Sequence, residues 1–165
     1  MAIQAVTEEK VWHVLDTVKD PEIPVVSVVE MGLIRAVELD DDRVTVTMTP
    51  TFSGCPALEV MQREIKTAVS ALNIPLPHIT INVVLSPPWS TDWITEEARA
   101  KLKAFGLSPP PQHGGKLDII FHDIAPCPRC DGHNTSLKNS FGPTLCRAIY
   151  YCHDCQEPFE QFKPL

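Results

Sequence analysis

The sequence predicts an α+β fold: a small mixed sheet covered by helices, followed by a separate β-rich module. Three observations lead there. Apolar residues recur at helical spacing over 7–18 and 58–72, and period-two alternation marks 33–39, 43–49 and 78–85. After a proline- and glycine-rich break, two Cys-x-x-Cys units enclose a further strand-like stretch.

Thr7-Glu8-Glu9 opens the first helix with a capping hydroxyl and acids placed to meet the helix dipole. Val11, Val14, Leu15 and Val18 form its apolar stripe, and Asp20-Pro21 is expected to end it. Two prolines then stiffen the loop Asp20-Pro21-Glu22-Ile23-Pro24. Strands over 33–39 and 43–49 are joined by Asp40-Asp41-Asp42, with Val44, Val46 and Met48 sharing one face. Helix 55–72 presents Leu58, Met61, Ile65, Ala68, Val69 and Leu72, and a strand over 78–85 follows. Pro87-Pro88-Trp89 breaks the pattern before a short helix at about 95–105. Residues 108–115, Ser-Pro-Pro-Pro-Gln-His-Gly-Gly, read as an exposed linker. The domain expectation is therefore 1–107, linker 108–115, and a second module over 116–165.

Composition excludes several classes of function. The chain has 165 residues, 44% hydrophobic and 21% charged, with a net charge of −7. Residues 1–115 hold nine Lys/Arg against fifteen Asp/Glu, and residues 116–165 hold five against six. Neither part offers the basic surface that phosphate backbones demand, so nucleic acid is not an expected partner. No apolar run approaches the roughly 20 residues of a membrane helix. The acidic N-terminus lacks the basic flank of a signal peptide, so a cytoplasmic location is expected.

Five of the six cysteines lie between Cys127 and Cys155. In a reducing compartment, Cys127-Pro-Arg-Cys130 and Cys152-His-Asp-Cys155, separated by 21 residues, point to metal ligation rather than disulfides. Four soft thiolates suit a tetrahedral Zn²⁺ or a single iron, and a structural Zn²⁺ in a zinc ribbon is the expectation. So small a module has little core, and metal binding would supply much of its folding energy. A thioredoxin-like redox role would need a strand-to-helix context that the motif lacks. Cys146 has no Cys-x-x-Cys partner and is expected outside the ligand set, while His122, His133 and His153 suit surface or supporting roles.

Cys55 is the lone cysteine of the first module. With Pro56 at the first helical position it would cap helix 55–72, where free amides and the dipole favour a thiolate. An inert, partly buried cysteine fits the same position, and both readings stand on the residues alone. Asp20 and Glu22 can serve as acid/base groups or metal ligands, although Asp-Pro commonly stops a helix. Thr47, Thr49 and Thr51 can line a polar pocket, or simply occupy an exposed sheet face.

The segment DPEIPVVSVVEMGLI, the threonine-rich strand and SGCPA resemble the iron–sulfur assembly domain of SufT-like proteins. TPTFSGCPA, SPPWSTDWITEEARAKLKAFGLSPP and the terminal Cys-x-x-Cys pair extend the resemblance over nearly the whole chain to the PaaD-like family of phenylacetate degradation. That resemblance implies an accessory component of the multicomponent phenylacetyl-CoA epoxidase, without catalytic residues of its own. It would assist assembly of an iron or iron–sulfur centre, with partners in the iron–sulfur reductase or the di-iron oxygenase subunit. It maps the family's reactive cysteine onto Cys55 and its acidic loop onto Asp20 and Glu22, as handlers of a transient iron or iron–sulfur cluster. Oxygen chemistry has no support in the residues, since no Glu-x-x-His pair or nucleotide fingerprint is present. The rival readings are a stably bound, non-catalytic epoxidase subunit and a stand-alone thiol enzyme using Cys55. An exposed sheet edge is compatible with a homodimer.

Overall fold

The computed structural model describes residues 6–115 and 125–164. The chain divides into two compact units, one ending at Trp89 and the other beginning at Ser90.

In the first unit, α1 (Glu8–Leu15) is capped by Thr7, whose Oγ1 accepts from the N–H of Lys10, and it buries Val11 and Leu15. The helix ends at Leu15, before the expected Asp20, because the N–H groups of Thr17 and Val18 turn back to the carbonyls of Val14 and Leu15. The irregular stretch that follows is core rather than surface: Ile23, Val26, Val28, Met31 and Leu33 are all buried. Its backbone is held by a reciprocal cap in which Ser27 N–H donates to Glu30 and Glu30 N–H donates to Ser27 Oγ. The Trp89 indole donates to the Met31 carbonyl at 3.0 Å, so the break expected at Pro87-Pro88-Trp89 ends on a buried anchor.

Strands β1 (Ile34–Asp40) and β2 (Arg43–Met48) form an antiparallel hairpin closed by Asp41-Asp42, with Asp41 left-handed at φ 51°. Helix α2 (Leu58–Ser70) carries the chain over to β3 (Ile79–Val83), which pairs parallel to β2. The sheet order β1-β2-β3 thus mixes one antiparallel and one parallel pair. Val44, Val46 and Met48 are buried on one face of β2, and Met61, Ile65 and Val69 are the buried stripe of α2. At about 1.5–3 kcal/mol for each fully buried large apolar side chain, these contacts dominate the unit's stability.

The second unit begins with a short turn of 3₁₀ helix, Thr91–Trp93, and then α3 (Glu96–Phe105), capped by Thr95 and ended by the left-handed Gly106 at φ 95°. Strand β4 (Leu107–Ser108) runs parallel to β7 (Pro158–Phe162). Strand β6 (Arg147–Cys152) pairs antiparallel with both β7 and β5 (Thr135–Asn139), giving the order β4-β7-β6-β5.

The pairing of β4 with β7 gathers residues 90–107 into the second unit, whereas the linear pattern attaches them to the first. The stretch 108–115, expected to be a linker, is strapped down. Ser108 is fully buried, with its Oγ donating to the Pro126 carbonyl. The buried Arg99 guanidinium donates to the carbonyls of Pro110 and Thr91. Asp92 accepts from the N–H groups of His113 and Gly115. Proline content signals stiffness, but these partners come from α3 and the 3₁₀ turn, distant enough in sequence to be invisible to a linear reading. Residues 116–124, where the second module was expected to start and where His122 lies, fall outside the described residues. Among the described residues no helix is long and apolar enough to cross a membrane.

The strap has a testable pH response. Burial opposes the charge on Asp92, yet the N–H groups of His113, Gly114 and Gly115 and the His113 imidazole hold its carboxyl below the ordinary value. Its contribution is therefore complete above the ordinary carboxylate range and is lost as pH falls through the lowered value. Limited proteolysis at neutral pH should spare 108–115 in the native chain. Arg99→Leu, which strands two carbonyls at roughly 1–3 kcal/mol each, should expose it to cleavage, and so should strongly acidic pH. Rapid cutting of the unaltered chain there at neutral pH would contradict the strap.

Candidate metal centre and the first-unit thiol

The two Cys-x-x-Cys units fold into matching knuckles. Cys127 N–H donates to the carbonyl of Gly132, and Cys152 N–H donates to that of Glu157, each five residues ahead. Four residues after each leading cysteine stands a left-handed residue, Asp131 at φ 59° and Gln156 at φ 62°. The turn must reverse there to expose amides toward sulfur, and Asp tolerates this conformation better than most residues.

The knuckles bring Cys127, Cys130, Cys152 and Cys155 together, with the four Sγ atoms within 4.8 Å of one another. Cys127 Sγ lies 3.7 Å from Cys155 Sγ, and Cys130 Sγ lies 3.6 Å from Cys152 Sγ. A tetrahedron with Zn–S bonds of ~2.3 Å has edges of ~3.8 Å, so the donor set fits a tetrahedral ion such as Zn²⁺ in number, chemistry and spacing. None of the six cysteines forms a disulfide. The N–H groups of Cys155 and then Asp154 pull the Cys152 thiol down to about 7 despite its burial. Burial, with the neighbouring thiols, pushes Cys155 up to about 12. A divalent cation removes this conflict by stabilising all four thiolates.

Around the thiols lies a small core of Ala125, Ala148, Tyr150 and Phe159, with the last two rings stacked at 5.7 Å. Cys146 is buried elsewhere, its Sγ 3.1 Å from Thr144 Oγ1, and is not in the cluster. His153 meets Ser136 Oγ, and His133 is exposed.

Cys55 sits in the loop between β2 and α2. It was expected to cap the helix; instead α2 starts at Leu58 with Ala57 at the cap, and no side chain caps it. The Cys55 carbonyl accepts from Leu58 N–H and its own N–H donates to the Phe52 carbonyl, so the residue occupies a turn just before the helix. The thiol is half-buried. Because β2 and β3 are parallel, this loop leaves the carboxyl end of the pair, the end where open α/β sheets place ligands. Nearby in sequence, Thr49 is 1% exposed and its Oγ1 has no hydrogen-bond partner, an uncommon state for a buried hydroxyl. Thr45 and Thr47 are half-buried on the sheet.

Asp20 Oδ1 accepts from the N–H groups of Glu22 and Ile23, which fixes the shape of the acidic loop. Among the described residues the four-thiol set is the only convergence of three or more His, Cys, Asp or Glu donors, so Cys55, Asp20 and Glu22 form no ready-made cage.

A cluster with no signal in the linear sequence joins Ser90, His113 and Asp92. Ser90 Oγ is 3.2 Å from His113 Nε2, and Asp92 Oδ2 is 3.5 Å from Nδ1. It has the membership of a hydrolytic triad, but Gly115 N–H also approaches Nδ1, at 3.1 Å, in competition with Asp92 for that nitrogen. With the amides of His113 and Gly115 donating to Asp92, the three side chains clasp the strap.

Residues 8–74 match the model of the iron–sulfur cluster assembly protein family, and residues 121–163 match that of the PaaD zinc beta ribbon domain. An Escherichia coli protein, named as one subunit of a "Putative 1,2-phenylacetyl-CoA epoxidase", is 37% identical over 93% of this chain and 91% of its own length. A Porphyromonas gingivalis protein named "Fe-S protein maturation auxiliary factor" is 38% identical over 58% of this chain and 90% of its own. The crystal structure of a domain of unknown function from Bacillus anthracis superposes with a TM-score of 0.53 at 35% identity, covering 58% of this chain and 90% of that one. The chain belongs to the PaaD family, in which an iron–sulfur assembly domain precedes a zinc ribbon.

Elemental analysis should find about one Zn²⁺ per chain. Replacing Cys127, Cys130, Cys152 and Cys155 by serine should abolish it, while Cys146→Ser should leave it unchanged. Chelation should melt β5–β7 before the first unit, as hydrogen exchange would read, because the ribbon's apolar core is so small. Full zinc content in the quadruple variant would disprove the assignment.

Proposed function

We propose that this PaaD-family chain is a non-catalytic accessory factor that helps to assemble an iron or iron–sulfur centre in a multicomponent oxygenase of the 1,2-phenylacetyl-CoA epoxidase type. The Cys55 thiol is the handling group, and iron or the cluster is cargo. The observation that carries the reading is the pairing, in one chain, of an iron–sulfur assembly domain with a half-buried thiol at the carboxyl end of its parallel strands. Similarity to the Escherichia coli protein over nearly the whole chain supplies the client class.

Among the described residues Cys55 belongs to no group of three or more convergent donors, which favours a transient role. An iron–sulfur cluster ordinarily takes four protein ligands, so one thiol can only share it with donors from a client or a second copy. Asp20 acts through its bonds to the loop amides and positions the acidic loop, leaving Glu22 as the loop's acidic group. The ribbon holds Zn²⁺ as a structural ion and supplies a docking face. Clients would be the iron–sulfur reductase or the di-iron oxygenase subunit, and the work would take place in the cytoplasm.

The Escherichia coli relative is named as a subunit, which favours a second reading in which the chain remains bound during turnover. Co-purification at a fixed ratio through active fractions would support it, and sub-stoichiometric recovery would support the transient factor.

Cys55→Ser should preserve fold and zinc content, because Cys55 shapes its turn through main-chain atoms. A serine hydroxyl stays protonated at neutral pH and is a poor ligand for iron. Cells carrying the variant should accumulate oxygenase polypeptides with under-loaded metal centres. Normal loading alongside normal growth on phenylacetate would reduce Cys55 to a packing residue.

A further inference from the structure

The ribbon sheet has two unlike faces. Ala148, Tyr150 and Cys152 of β6 point to the core around the thiols. Alternation sends Arg147 and Ile149 to the other face, where Ile149 pairs in register with Glu160 of β7. On that side opens a cavity of about 330 Å³ with walls from Phe105, Ile149 and Pro158, and with Arg129 and Arg147 beside it.

We infer that this groove docks an acidic segment of a client polypeptide, seating an apolar side chain between Phe105 and Ile149 and a carboxylate on Arg129. Charge makes the choice. Within a chain of net charge −7, the groove gathers two guanidinium groups against one carboxylate, and that carboxylate, Glu160, is already 3.0 Å from Arg147 Nη1. The pair with Glu160 orients Arg147, while Arg129 presents an exposed fork suited to a carboxylate. Phe105 is 47% exposed, a large apolar surface at the lip of a polar-rimmed cleft, as a peptide anchor requires.

The site is coupled to the metal. Arg129 lies inside the first knuckle, between Cys127 and Cys130, so its position relative to β6 and β7 depends on the four-thiol cluster. The second edge of the groove is fixed by β4, which follows Phe105 and Gly106 and pairs with β7. Loss of the ion would separate Arg129 from the apolar wall and dissolve the site without touching any group that contacts the peptide.

Fluorescence anisotropy with the full-length, zinc-loaded chain tests this inference. The probe is a fluorescein-labelled dodecapeptide of alternating aspartate and leucine, with a lysine–leucine counterpart as control. The acidic peptide should bind and the basic one should not. Arg129→Glu and Phe105→Ala should each weaken binding about tenfold, whereas Arg129→Lys should retain most of it. Zinc content and thermal unfolding verify that each variant is folded. Chelation should abolish binding, and Cys55→Ser should leave it unchanged, so that docking and the proposed handling of iron can fail separately. Equal binding of both peptides, or unchanged affinity in Arg129→Glu, would overturn the inference. So would saturable binding of phenylacetate with none of the acidic peptide, which would assign the groove to a small aromatic acid.

Discussion

Thiolates repel one another, and four of them within 4.8 Å are stable together only around a cation. Much of the second unit follows from that constraint. The leading cysteines, Cys127 and Cys152, each fix a knuckle by donating to a carbonyl five residues on, and the left-handed Asp131 and Gln156 make those turns possible. Strands β5, β6 and β7 then leave the knuckles already in register, and among the described residues the apolar cluster around the thiols is small: Ala125, Ala148, Tyr150 and Phe159, with Leu137 packed against it. A core of that size would be marginal without the metal. The pairing of β4 with β7, and through it the placement of α3 and the 108–115 strap, extends the same frame.

The first unit rests on a different balance. Its core includes two helices, a three-stranded sheet and the buried loop around Met31, and it holds without any metal ligand. The β2–α2 loop of this unit carries the half-buried Cys55 thiol. Just beyond the end of β2, beside that loop, the buried Thr49 hydroxyl has no hydrogen-bond partner.

The contrast between the units bears on mechanism. A cage of four convergent thiols fits a structural ion rather than one in transfer. Among the described residues the Cys55 thiol joins no such set of three or more donors, the difference on which the proposed passage of a cargo rests. The two arrangements share soft sulfur chemistry and differ in the number of donors that the backbone brings together.

Most elements and the thiol cluster were legible in the linear sequence because their signals are local. Apolar spacing of 3.6 residues marked α2, period two marked β2, and Cys-x-x-Cys is itself the knuckle. The resemblance to the PaaD-like family was equally a matter of contiguous motifs. What tertiary structure alone decided depends on partners far apart in the chain. The parallel pairing of β3 with β2 placed Cys55 at the carboxyl end of the strands, and local turn bonds moved it out of the helix cap. The prolines of 108–115 suggested a tether, yet Arg99 and Asp92 bind that stretch into the second unit. The groove beside Arg129 exists only because a knuckle, a helix end and two strands meet. Short-range propensity specifies each piece separately, whereas burial of Arg99 and the pairing of β4 with β7 are gained only once the pieces have met.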